Sequence, residues 1–231
     1  MRPGVIKCSC EKCELRSLFF THVSLNELTD ICEIKEERSY SKGEVIIQEG
    51  EKIQEFLYMK EGLIKLSRKI DGERDQILSF SKPFDFVSIF SVFSSEYYKY
   101  SVTAVEDTVV CILDLNVVKK HAQENAMFTM DLMSRISGAT DKIIIDNLTV
   151  KRKNLKGRVA HVLLYFANHI YDKNEFELPV SRREIAEYIG MTTENVIRTL
   201  SEFRKDKIIK IYGKDIQIAD MKRLQDISEF G

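Results

Sequence analysis

The side chains best suited to chemistry in this 231-residue chain lie between Ser181 and Lys214. Thr192, Thr193, Glu194 and Arg198 fall close together, and their donors and acceptors match the edges of base pairs. A guanidinium can fork onto guanine O6 and N7, and a carboxylate can accept from cytosine N4. Each good pairing of this kind is worth about 1–3 kcal/mol of base discrimination. Glu194 and Arg198 are also spaced i,i+4 on a helix, where a plain surface ion pair contributes about 0.3–0.5 kcal/mol. The two readings are compatible, because the pair would hold Arg198 in its forked pose. Ser181, Arg182, Arg183, Asn195, Arg204, Lys205 and Lys214 suit phosphate oxygens, which fix register but carry no sequence information. The four histidines, His22, His121, His161 and His169, show no zinc-type spacing. No phosphate loop, nucleophile elbow or paired carboxylate at catalytic spacing occurs, so the residues give no footing for an enzyme.

Positioning these groups requires two helices and a turn, and the local sequence supplies the signals for them. Ser181-Arg182-Arg183-Glu184 reads as a capping box opening a short helix. Ile185, Ala186 and Ile189 give that helix its buried face, Gly190 ends it in a sharp turn, and Met191 fills the corner. Thr192 caps a second helix running to about Lys205, with Val196, Leu200 and Phe203 facing inward. Ile208–Ile211 and Ile216–Ile218, joined by Tyr212-Gly213-Lys214-Asp215, form a hairpin. Two helices followed by a hairpin define a winged helix-turn-helix, and the N-terminal half of its second helix is where base edges would be met.

Upstream the pattern is different. From Ser39 to about Leu115, apolar runs of four to six residues recur roughly every ten residues between turn signals, which indicates an all-β barrel or sandwich. A short helix around Val87–Phe93 is the one interruption expected. From about Asn116 to Leu148 the spacing becomes helical. Leu132, Ile136, Ala139 and Ile143 form one row, and Met133, Thr140 and Asn147 a parallel one. No proline lies between Pro83 and Pro179, so nothing breaks a long helix. Either that helix packs only on its own barrel, or its stripe forms a coiled-coil seam with a second copy. A further helix bearing Val159, Val162, Leu163 and Phe166 leads through a linker at Tyr171–Glu175 to the two-helix motif. The domains expected are therefore 1–115, 116–150 and 151–231.

Composition agrees with this division. The chain is 44% hydrophobic and 31% charged, with a net charge of −1, so wholesale disorder is excluded. Residues 149–231 carry 16 Lys+Arg against 12 Asp+Glu, and the remainder 19 against 24. A basic end on an acidic body suggests a polyanion partner. No apolar run is long enough to span a bilayer, and Met1–Cys8 lacks a signal-type core, so a soluble cytoplasmic chain is expected.

The chain resembles the Crp/Fnr superfamily of bacterial transcription regulators over nearly its whole length. The resemblance is carried by Lys42-Gly43-Glu44-Val45-Ile46, Glu49-Gly50-Glu51, Lys60-Glu61-Gly62-Leu63-Ile64-Lys65 and the run from Ser181 to Arg198. It implies an α+β fold: an N-terminal double-stranded β-helix (a jelly-roll-like β-roll), a long dimerisation helix, and the C-terminal winged helix-turn-helix. It also implies a homodimer on palindromic double-stranded DNA, working with RNA polymerase and controlled by an effector in the β-roll. Glu194 and Arg198 match the family pair that reads a G·C step, while Thr193 replaces an arginine of the cyclic-AMP receptor branch. On the dimer helix the expected seam residues are Leu132, Met133, Ile136, Ala139, Thr140 and Ile143.

The resemblance is weaker on the effector. The cyclic-AMP branch presents Gly-Glu to the ribose and Arg-Ser to the phosphate, where this chain has Ser88-Ile89 and Tyr100-Ser101. Losing both the acidic hydroxyl acceptor and the cation leaves a charged ligand unpaired, so cyclic AMP is not expected. Ser88, Ile89, Tyr98, Tyr100 and Ser101 remain the candidate pocket residues. Tyr97, Tyr98 and Tyr100 suggest a filled pocket or a less charged ligand. Fnr-type oxygen sensors hold an iron–sulfur cluster on an N-terminal cysteine group and one β-roll cysteine. Cys10-x2-Cys13 and Cys111 resemble three of those ligands, the position of another is Phe19, and Cys8 is a substitute. An iron–sulfur cluster or zinc on Cys8, Cys10, Cys13 and Cys111 stays open beside plain reduced thiols, with Cys32 and Cys111 in the core. Two other functions stay open as well. One is a cyclic-nucleotide-type module acting on a protein partner, and the other is a thiol or iron–sulfur redox sensor.

Overall fold

A computed structural model describes residues 35–70, 74–83 and 90–231. The chain forms two compact units. Of the described residues, one comprises those from Lys35 to Arg68 and from Ser79 to Lys142, and the other those from Lys69 to Leu78 and from Ile143 to Gly231.

Seven strands come first in the described chain: β1 (Glu36–Tyr40), β2 (Val45–Ile47), β3 (Glu55–Glu61), β4 (Ile64–Ile70), β5 (Arg74–Ser81), β6 (Ser101–Ala104) and β7 (Thr108–Asp114). They form one sheet in the order β1-β7-β3 and a second in the order β2-β6-β4-β5. β7 pairs antiparallel with β1 and β3, and β6 with β2 and β4; such sheets leave one face for a shared core. Phe56, Leu57, Tyr58 and Met59 of β3 and Val110 to Leu113 of β7 are all buried, as are Ile77, Phe80, Val102 and Ala104. Gly62, at φ +97°, turns β3 into β4, and a side chain there would run into the Thr108 hydroxyl and the Asp107 carbonyl. The β1 strand lies mostly ahead of the Ser39 start expected from sequence. Its charged residues hide the alternation that marks a strand. The short helix expected at Val87–Phe93 falls partly outside the described residues, and Phe90 to Ser94 form turns.

Helical pattern begins where expected but in two pieces, α1 (Leu115–Glu124) and α2 (Ala126–Arg152). The Asp114 carboxylate accepts from the Asn116 N–H at 2.7 Å and opens α1. Asn125 separates the helices, and its side-chain oxygen accepts from the Phe128 N–H at 3.0 Å as α2 begins. The 27 residues of α2 make a rod of about 40 Å at 1.5 Å per residue. It contributes to both units.

The second unit continues with α3 (Leu155–Tyr165), a π-helical turn (Phe166–Tyr171), β8 (Glu175–Glu177), α4 (Arg182–Ile189), α5 (Thr193–Lys205), β9 (Ile209–Tyr212), β10 (Asp215–Ile218) and α6 (Met221–Phe230). The hairpin β9–β10 expected from sequence is present, and β8 joins it to give the order β8-β10-β9. The segment read as a linker therefore ends in a strand, with Phe176 buried opposite Ile216. Val159, Val162, Leu163 and Phe166 pack inside with Ile185, Val196, Leu200, Phe203 and Leu224.

Candidate nucleic-acid interface

Local chemistry sets the two-helix motif. The Ser181 hydroxyl oxygen accepts from the Glu184 N–H at 3.1 Å, and the Glu184 carboxylate accepts from the Ser181 N–H at 2.7 Å. This reciprocal pair is the capping box that the sequence announces. Ile185, Ala186 and Ile189 are buried. Gly190 then takes φ +65° and ψ +48°, a left-handed conformation that costs any other residue a Cβ clash. The Met191 N–H closes the turn on the Ala186 carbonyl at 3.0 Å, and the Thr192 hydroxyl accepts from the Asn195 N–H at 3.3 Å to start α5.

A single arginine fastens this motif to the end of the long helix. Arg158 on α3 donates from Nε to the Lys153 carbonyl at 2.9 Å, from Nη1 to the Ile189 carbonyl at 3.1 Å, and from Nη2 to the Lys151 carbonyl at 3.3 Å. Lys151 is in the last turn of α2, Lys153 lies just beyond it, and Ile189 is the last residue of α4. One cation thus serves carbonyls at two helix C-termini, where the helix dipoles favour it. Sequence reasoning passes over Arg158, because no local pattern distinguishes it from a surface arginine.

On α5 the inward side is Val196, Thr199, Leu200 and Phe203, all buried. The outward side presents Glu194, Ile197, Arg198, Ser201, Arg204 and Lys205 to solvent, with Thr192 exposed and Thr193 half-buried. Arg198 donates from Nη2 to the Asn195 side-chain oxygen at 2.9 Å. Asn195, expected from sequence at a phosphate, thus also holds Arg198. Ile197 escapes sequence reasoning, which looks for polar groups on the outward face and passes over an apolar one.

The basic residues divide by accessibility. Arg183 and Lys205 are exposed, as are Arg204 and the hairpin-tip Lys214. Arg182 is half-buried, and burial holds its pKa below the usual arginine value. Arg183 donates from Nε to the Glu187 carboxylate at 2.8 Å, an i,i+4 pair that raises its pKa, with a further contribution from Asp75. Ser181 is exposed, with its hydroxyl engaged in the capping box.

Elsewhere the candidates fare unequally. Tyr98 and Tyr100 line a cleft together with Ile47, Leu66, Phe90, Ser91 and Val102, and Tyr98 also lines a second one with Ile46, Glu51, Lys52, Gln54, Glu55 and Leu57. The buried Tyr98 hydroxyl donates to the Glu55 carbonyl at 3.1 Å, and burial raises its pKa well above the normal phenol value. The Ser101 hydroxyl oxygen accepts from the Glu49 N–H at 3.0 Å and from the Gln48 side chain at 3.3 Å. Ser88 and Ile89 lie outside the described residues, as do Cys8, Cys10, Cys13 and Cys32. Cys111 is fully buried on β7, paired to Glu37 and Tyr58, with its thiol 3.8 Å from the Glu37 carboxylate. Among the described residues no group of three or more His, Cys, Asp or Glu is arranged to hold a metal.

The residues expected at the seam differ in burial. Leu132 is buried within its own chain, and Ile136, Ala139, Thr140 and Ile143 are half-buried. The apolar residues that α2 leaves in solvent are Met127, Met130, Met133, Ile144, Ile145 and Leu148. Only Met133 belongs to both sets. A row at steps of three and four is the same whether its partner is intramolecular or not, so spacing alone does not choose between the two rows.

A winged helix-turn-helix with the polar face of its second helix turned to solvent defines the class of DNA-binding proteins. Residues 157–227 match the model of the Crp-like helix-turn-helix domain, and residues 37–125 that of the cyclic nucleotide-binding domain. The transcriptional activator protein FnrA of Stutzerimonas stutzeri is 27% identical over 224 residues, covering 91% of this chain and 88% of FnrA. Electron transport regulator A of Shewanella oneidensis is 26% identical over 225 residues, covering 93% and 88%. Among solved structures, FixK2 from Bradyrhizobium japonicum superposes with a TM-score of 0.73 at 26% identity, covering 84% of this chain and 97% of FixK2. A Crp/Fnr-family protein from Eubacterium rectale shares the fold with a TM-score of 0.77 at 20% identity, covering 91% and 97%. The chain belongs to the Crp/Fnr family and is a DNA-binding transcription regulator, not an enzyme. Among the described residues no helix is long and apolar enough to cross a membrane.

Proposed function

We propose that the protein acts in the cytoplasm as a homodimer on a palindromic DNA site, with α5 of each copy in successive major grooves about 34 Å apart. In this reading residues 1–115 sense, 116–150 carry the dimer contact, and 151–231 bind DNA. Glu194 and Arg198 read a G·C step, Thr192 and Thr193 contact neighbouring base edges, and Asn195 orients Arg198. Ser181, Arg182, Arg183, Arg204, Lys205 and Lys214 approach phosphates, and RNA polymerase is the protein partner. The observation that carries the proposal is the two-sided α5, with Val196, Leu200 and Phe203 locked inward and Glu194 and Arg198 held outward. A dimer is supported by the solvent-facing apolar residues of α2, because a second copy would bury them. Between their two clusters lie Ser137 and Gly138, small enough for two helices to approach closely.

The effector acts on the β-roll and is not cyclic AMP. Tyr100 in place of a cation and the engaged Ser101 hydroxyl support that part of the reading. A ligand that binds the DNA-competent arrangement better shifts the population toward it.

The test is a gel-shift series on a selected site. Arg198→Ala and Glu194→Ala lose preference for the G·C step, and log K falls with log salt by about 0.9 for each phosphate neutralised. Retention of the wild-type base preference by both variants would overturn the readout. Leu148→Glu, read by sedimentation, converts the dimer to a monomer; an unchanged dimer would reject the α2 face. A thermal-shift screen tests the effector, and a midpoint raised by cyclic AMP would reject its exclusion.

A further inference from the structure

One residue on the outward face of α5 does not fit a phosphate-contacting or ion-pairing surface. Ile197 is 50% exposed, although Val196 beside it and Leu200 after it are buried. It lies three residues after Glu194 and next to Arg198, on the stripe that continues through Ser201. The Ser201 hydroxyl donates back to the Ile197 carbonyl at 2.9 Å, and Asn195 holds the Arg198 guanidinium at 2.9 Å. Ile197 is therefore an aliphatic group set between polar ones. It is β-branched, so a helix leaves it essentially one side-chain rotamer, and it makes a stiff apolar knob. In the major groove one feature of a base pair is apolar, the C5 methyl of thymine.

We infer that Ile197 is a specificity-determining residue that selects thymine, through its C5 methyl, at the base pair next to the G·C step. The inference rests on the reading of α5 as the helix that enters the groove, and it adds a position which Glu194 and Arg198 do not determine. Methyl-to-methyl contact removes roughly one CH₂ equivalent from water, about a four-fold effect on affinity for each half-site. Cytosine at this position lacks the methyl and gives Ile197 nothing to bury against, so it is disfavoured by a similar factor.

The experiment isolates that methyl. Sites are selected from a random library with the wild-type protein, Ile197→Ala and Arg198→Ala. The thymines of the wild-type site are then replaced one at a time by deoxyuridine, which removes only the C5 methyl. With the wild type, one thymine in each half-site loses about four-fold in affinity on replacement. With Ile197→Ala the same replacement changes nothing, and Ile197→Val retains part of the sensitivity. Folding of these surface variants is checked by circular dichroism. Methyl sensitivity that persists in Ile197→Ala, or no methyl-sensitive thymine in the wild-type site, overturns the inference. Arg198→Ala keeps the two failures apart. If it retains the wild-type G·C preference, the reading of α5 itself fails. If it loses that preference while methyl sensitivity is indifferent to Ile197, only the thymine assignment fails.

Discussion

Replacing Arg158 with alanine removes three donors from carbonyls at the ends of α2 and α4. The bonds at 2.9 and 3.1 Å, to Lys153 and Ile189, have good lengths, and the 3.3 Å bond to Lys151 is exposed and counts for little. A hydrogen bond from a charged group contributes about 1.5–3 kcal/mol, and water reaching a half-buried guanidinium reduces the sum of two to about 2–4 kcal/mol. In a unit of under a hundred residues each kcal/mol corresponds to about 4–8 °C, so the midpoint of the DNA-binding unit should fall by about 10–25 °C. Calorimetry with ellipticity at 222 nm measures this. Arg158→Lys keeps the charge but has one compact head instead of a planar fork, and should recover less than half of the loss. A midpoint for Arg158→Ala within about 3 °C of the wild type would refute the reasoning, because the three carbonyls would then be equally well served by water.

Three other perturbations probe the same unit. Ser181→Ala removes one half of the capping box and should cost about 0.5–2 kcal/mol in urea unfolding, with an unchanged denaturant slope. His161 has a buried Nε2 with no hydrogen-bond partner, and burial, then Lys153 and His169, lower its pKa below 6.5 against the opposing pull of Asp146. Its neutral form is the folded form, so stability is level above pH 6.5 and declines as pH falls from there toward the lower folded pKa. The slope is at most about 1.4 kcal/mol per pH unit, and melting curves between about pH 5 and pH 8 should show a shallower decline for His161→Phe. Glu187→Gln frees Arg183 from its 2.8 Å partner; binding to DNA should tighten at low salt, and the salt slope should steepen by up to about 0.9 for each protomer.

What can be read from the sequence is what neighbours along the chain decide. Ser181 with Glu184, Gly190 and Thr192 are signals spanning four residues or fewer, and each appears in the structure as the cap or turn its chemistry requires. The β-strands from Val45 to Asp114 are legible for the same reason, since turn residues bracket short apolar runs. Other features depend on partners far away in sequence. β8 is a strand because Phe176 meets Ile216 forty residues later, and β1 because its charged residues pair with β7. Spacing cannot rank the rows of α2, because Leu132 and Met133 are equally apolar, and only the folded neighbourhood distinguishes the buried one from the exposed one. Arg158 and Ile197 escape notice for opposite reasons. The arginine looks like surface and is a fastening, and the isoleucine is apolar on a face searched only for polar groups.

The place of Cys111 has a practical consequence. Its sulfur sits in the middle strand of a three-stranded sheet with no exposure to solvent, so an alkylating reagent cannot reach it while β1 and β3 stay hydrogen-bonded to β7. Its modification rate, followed on a proteolytic peptide by mass, is therefore a native stopwatch for opening of that sheet. Any small molecule that grips the β-roll can be recognised by how far it slows the clock, with no dye or engineered label and before its chemical identity has been worked out.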